Sequence, residues 1–304
     1  MDVPDYIAAL RDEGVLLAWA AGQAGPDAPV PACPGWRVRD LVRHTGSVHR
    51  WATGYVAGQR ETPVPGPSEE EMIRSGPDSD HDLLGWFADG HERLVTALEH
   101  ADPGMTCWTF LPAPSPLAFW ARRQAHETAI HRVDAQLAAG VASRGGPGRP
   151  GDFAPGLTAD GIDELVMGFG RRRSKRGLRA DPSSWLAVHA RPGPGHPARD
   201  GPARDGPARD GPARDGPARD GPASGGGESG GHADWVIRMG KDSAAVARGA
   251  VPPDDLPDGT GCDLTGRAEA LYLLLWNRGG TDGLELRGDP RGLAVWQEQV
   301  RVRW

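Results

Sequence analysis

Two histidines and a glutamate on one stretch of chain raise the first chemical question. Residues 122–135, "RRQAHETAIHRVDA", carry His126, Glu127 and His131. Imidazole nitrogen and carboxylate oxygen are donors that zinc accepts readily. The zinc-protease pattern H-E-x-x-H places two histidines four positions apart on one helix face, whereas His126 and His131 are five apart. At about 100° per residue, a step of four brings side chains within about 40°, and a step of five separates them by about 140°. Glu127 and His131 therefore share a face. His126 either supports the site from behind or faces outward.

A catalytic zinc takes three protein donors and leaves one position open. A metal held between facing helices wants imidazole nitrogen and carboxylate oxygen, and His44, Glu127 and His131 supply that set. His44 belongs to the stripe Leu41, His44, Val48, Trp51 and Tyr55, which recurs at three and four, while His49 points away from that stripe. Taken by spacing alone, His44, Glu127 and His131 are equally readable as ordinary helix-face residues. Asp134, one turn after His131, is a candidate acceptor for its ring. Gln124 lies one turn before Glu127 as a candidate substrate contact, and His91 is a lone candidate in a third apolar stripe.

Four amphipathic segments would position these residues: about 4–22, from 38 onward, about 79–100 and about 116–140. Their simplest arrangement is an all-α four-helix bundle. From residue 157 the pattern changes to a helix followed by short runs that read as strands, at 184–190, 234–239 and 284–288. Helical segments at 266–278 and 292–300 complete a smaller α+β domain. The expected domains span 1–145 and 155–304, with the boundary in "ASRGGPGRPGDF", residues 142–153. Between two of the strands the chain repeats Pro-Ala-Arg-Asp-Gly and then runs into Gly and Ser. With a proline every fifth residue and no large apolar side chain, about 192–232 reads as a disordered loop insertion.

Composition narrows the function classes. A net charge of -7 gives no basic excess for a phosphate backbone, so nucleic acid is not an expected partner. "MDVPDYIAALRDEG" places acids where a signal peptide needs a positive start, and no run is apolar enough for a membrane span, so a cytoplasmic location is expected. Cys33, Cys107 and Cys262 are widely spaced and form no CxxC pair, which disfavours a disulfide framework or a thiolate zinc site.

The segments "VPACPGWRVRDLVRHTGSVHRWA" (30–52) and "FWARRQAHETAIHRVDAQLAAG" (119–140) together resemble the mycothiol-dependent maleylpyruvate isomerase family. "SWLAVHARPG", "DWVIRMG" and "CDLTGRAEALYLLLWNR" resemble the C-terminal domain of the same family. The resemblance implies a DinB-like bundle followed by a sterol-carrier-like domain, and a zinc or other divalent ion held by His44, Glu127 and His131. It also implies mycothiol as a thiol cosubstrate, a small electrophilic substrate, and a catalytic arginine whose best match is Arg278. A helix-capping arginine is the alternative reading of Arg278.

The reaction implied is addition of a thiolate to an activated double bond, rotation, and elimination. Two alternatives stay open. One is a metal- and ligand-binding sensor or carrier without turnover, and the other is a zinc hydrolase with Glu127 as base. A monomer or a homodimer is expected in either case.

Overall fold

The computed structural model describes residues 1–64, 66–140, 149–175, 177–191, 233–249 and 261–302. The pentapeptide repeat and most of the expected domain boundary lie outside the described residues. Among those described, no helix is long and apolar enough to cross a membrane.

The helical half contains α1 (Val3–Ala24), α2 (Val38–Val56), the short α3 (Glu69–Ile73), α4 (Leu83–Glu99) and α5 (Pro116–Ala139). Helix α5 begins where Ser115 accepts a hydrogen bond from the Ala118 amide and Pro116 occupies the first turn. It ends on Gly140, whose φ of 64° suits a residue without a side chain. Helix α5 packs against α1 and α2, and α2 against α4. Two apolar clusters hold this half together. One contains Leu10, Tyr55, Leu94 and Trp120, and the other Leu17, Leu41, Val42 and Phe87.

Beyond α5 the chain forms α6 (Leu157–Asp163), a π-helical stretch (Glu164–Gly170) and α7 (Arg171–Ser174). A five-stranded sheet follows in the order β3-β2-β1-β4-β5. Its strands are β1 (Ser184–Arg191), β2 (Ala233–Met239), β3 (Ala244–Arg248), β4 (Gly261–Arg267) and β5 (Glu285–Gly288). Strands β1 and β4 run parallel, with Leu186 opposite Cys262, and the other pairings are antiparallel. Leu186, Val188, Trp235, Ile237 and Leu264 alternate onto one sheet face. They pack with the π-helical stretch, α8 (Ala268–Leu275) and α9 (Arg291–Gln299). Ile130 of α5 enters this same core, so one helix serves both halves.

One expectation is corrected and two are completed. Gly266 and Arg267 belong to β4 and not to a helix, because the segment Gly261–Arg267 is held in the middle of the sheet by pairing with β1 and β5. His49, which points away from the His44 stripe, is nevertheless fully buried, because α2 has α4 on one side and α5 on another. His126 does not face outward, because α6 covers that side of α5.

Candidate metal centre

Helices α2 and α5 bring His44, Glu127 and His131 together, with the three donor atoms within 4.8 Å of one another and all three residues buried. Glu127 Oε1 is 3.1 Å from His131 Nε2 and 3.4 Å from His44 Nε2. On the far side of the His131 ring, Nδ1 lies 2.9 Å from Asp134 Oδ2. Arg278 donates to both oxygens of Asp134, from Nε at 3.0 Å and from Nη2 at 2.9 Å. Its remaining Nη1 donates to the Trp276 carbonyl at 2.8 Å, so the capping role and the site role coexist. The placement of Arg278 follows from how α8 stops. Asn277 takes a positive φ of 62°, and the Arg278 amide turns back to the Leu273 carbonyl.

Charges set the protonation of this cluster. Burial raises the cost of ionising Glu127, but His131, His44 and Arg123 around it hold its carboxyl well below the usual range. Burial alone lowers an imidazole, yet the anions of Glu127 and Asp134 raise His131 to about 9. His44 falls below its ordinary value because burial outweighs its hydrogen bond to Glu127. Asp134 drops to about 2, since Arg278 and His131 more than offset its burial.

The cluster opens into a cavity of about 490 Å³ between the two halves. Cys33 and Trp36 wall it on one side, Leu165 and Leu275 to Arg278 on another, and Val300 to Val302 at the rim. The loop before α2 is folded back on itself by Val30 N to Trp36 O (3.0 Å) and Trp36 N to Cys33 O (2.9 Å), with Gly35 at φ 90°. That turn sets the Trp36 ring 5.0 Å from His44 and 6.4 Å from His131, centroid to centroid.

Residues 7–136 match the family model described as "Mycothiol maleylpyruvate isomerase N-terminal domain". This segment of the chain is similar to that domain. Two crystal structures of mycothiol-dependent maleylpyruvate isomerase, one of them a histidine-to-alanine mutant, share the fold of the whole chain. The mutant has a TM-score of 0.54 at 12% identity, and the other structure 0.53 at 13%. In each case 94% of this chain and 93% of the other are covered. No curated protein sequence matches.

Within the helical half, the remaining sequence candidates separate from the cluster. His91 is buried on α4, with Nε2 3.0 Å from the Leu10 carbonyl. Gln124 is fully buried and is not among the residues that line the cavity. His126 Nε2 is 2.7 Å from Asp160 Oδ2, on the opposite side of α5. Four residues near the cluster carried no role in the sequence reading: Trp36, Cys33, Arg123 and Glu164. Arg123 had a signal, its i,i+4 spacing to Glu127. Glu164 had none, because its approach depends on how the second half docks.

Proposed function

We propose that this chain is a divalent-metal-dependent enzyme that activates mycothiol, or a similar low-molecular-weight thiol, for addition to, isomerisation of, or transfer onto a small electrophile. The convergence of two imidazoles and one carboxylate, buried at the base of a cavity, carries this reading. The residues fit zinc: the donors are of the right kind and number, and the second ring nitrogen of His131 is anchored on a carboxylate, as metal-binding histidines require. A bound divalent ion supplies Lewis acidity that favours the thiolate form of the cosubstrate at neutral pH.

The chain's own residues do the rest. Asp134 accepts the Nδ1–H of His131, which leaves Nε2 as the donor facing His44 and Glu127. Trp36, Ile130, Leu165 and Leu275 give the cavity apolar surface beside the three donors. Arg278 presents a fixed positive charge at the cavity wall, where anionic sulfur and electrophile would meet.

In this reading residues 1–145 form a DinB-like four-helix bundle from α1, α2, α4 and α5. Residues 155–304 form a sterol-carrier-like α+β domain with 192–232 inserted in it. The protein works in the cytoplasm as a monomer or homodimer.

Metal analysis of the purified protein tests the site. About one equivalent of zinc is expected in the wild type and little in His44→Ala or His131→Ala; full zinc in both variants sinks the proposal. Incubation with mycothiol and a panel of activated alkenes, epoxides and alkyl halides, read by mass spectrometry, tests turnover. Zinc without any adduct or isomer across the panel would leave a carrier.

A further inference from the structure

The two candidate ligands on α5 are each gripped by a buried ion relay that ends on a residue of the second half of the chain. The first relay runs through Arg123, one turn before Glu127 and fully buried. A guanidinium removed from water needs anionic partners, and it has two. Nη2 donates to Glu127 Oε2 at 2.7 Å, and Nη1 donates to Glu164 Oε2. Glu164 is itself buried and opens the π-helical stretch. The guanidinium also lies over the rings of Phe169 and Trp276, at 5.3 and 5.5 Å. With Oε2 engaged in this way, Oε1 is the oxygen that faces the two histidines. The second relay is Arg278 to Asp134 to His131. Glu164 and Arg278 reach α5 from separate elements, yet each ends on a different ligand.

We infer that Glu164, acting through Arg123, is a positioning residue for the metal: it fixes which oxygen of Glu127 is offered, as Arg278 fixes the His131 ring through Asp134. The site carried by α2 and α5 is thereby completed by the second half. This rests on the metal reading of His44, Glu127 and His131. Outer partners of metal ligands typically contribute roughly 10- to 100-fold in affinity.

The experiment measures zinc affinity by chelator competition in the full-length protein, for wild type, Glu164→Gln, Arg123→Lys, Arg278→Lys and His131→Ala. It also records the visible spectrum of the cobalt-substituted forms. Glu164→Gln and Arg123→Lys are expected to weaken zinc roughly 10- to 100-fold. They are also expected to change the cobalt bands, because the carboxylate is free to turn; a role confined to packing would lower the melting temperature and leave the bands alone. If Glu164→Gln does not fold, the double replacement Arg123→Met with Glu164→Leu removes the pair without stranding a charge and is read in the same way. Wild-type affinity and spectrum in the relay variants, beside lost zinc in His131→Ala, would overturn the relay alone. Zinc retained at full affinity in His131→Ala would overturn the metal reading, and the relay with it.

Discussion

Two groups of buried histidines share helix α2, one pairing it with α5 and the other with α4, and they behave differently. His44 and His131 share Glu127, and Asp134 lies behind His131. His49 and His91, 5.5 Å apart by ring centroid, have neutral partners: the Thr128 hydroxyl at 2.9 Å and the Leu10 carbonyl at 3.0 Å. Burial pushes His49 well below the ordinary imidazole value and lowers His91 as well. The first group concentrates opposite charges in a cavity, and the second is closed packing. Even the backbone is fitted to it: a Cβ at Gly14 would fall 2.2 Å from His91 Nε2, so α1 approaches α4 only because that residue is glycine. Burial of histidine is thus common to both groups, and the carboxylate oxygen that two imidazoles share separates the candidate site from core.

The contrast breaks most sharply at the anion. Glu127→Gln keeps the shape and removes the charge. It is expected to reduce zinc affinity by more than the roughly 10- to 100-fold typical of an outer partner, with thiol-dependent turnover falling in step, as chelator competition and rate assays would read. The matching change in the other group, His49→Leu together with His91→Leu, is expected to leave zinc content intact. It should cost about 1–3 kcal/mol of stability, measured by urea unfolding, because the Thr128 hydroxyl loses its partner.

Acid titration sharpens the same comparison. Burial disfavours protonation of His49 and His91 in the fold, while the unfolded chain takes up protons as pH falls through about 6.5. Stability present above that value is therefore lost on acidification, at up to about 1.4 kcal/mol per pH unit for each histidine. His91, Arg50, Glu127 and His131 are the charged or titratable groups that bear on His49, and Arg11 and Glu92 bear on His91. Unfolding between pH 7.5 and 5.5 should show this slope in the wild type and a flatter one in the double leucine variant. Beside the first group, the Cys33 thiol is pushed up to about 12 by burial and by Asp134. Its alkylation at pH 7.5, followed by mass spectrometry, should be slower than that of a free thiol by more than about 100-fold.

The period of α5 was enough to pair Glu127 with His131, since a helix face is a local property of the chain, whereas joining His44 to them took the family resemblance. The same arithmetic could not say whether His126 faces outward, because a helical wheel states which residues face alike and says nothing about what covers the other faces. Helix α5 is covered on nearly every side, by α1, α2, α6 and the sheet core, so it has no solvent face to orient the wheel. Strands β1, β2 and β5 were legible from their own residues. β4, with glycines at 261 and 266 and Asp263, and β3, short and alanine-rich, take their form from neighbours.

The cavity walls have a consequence for how such a protein can diversify. The donors sit on α2 and α5, whereas most of the surface that a second reactant would meet belongs to the turn before α2, the end of α8 and the stretch 300–302. Substitutions in those three places can reshape what enters while the donors stay constant. Under the proposed function, one metal chemistry is in this way lent to many electrophiles.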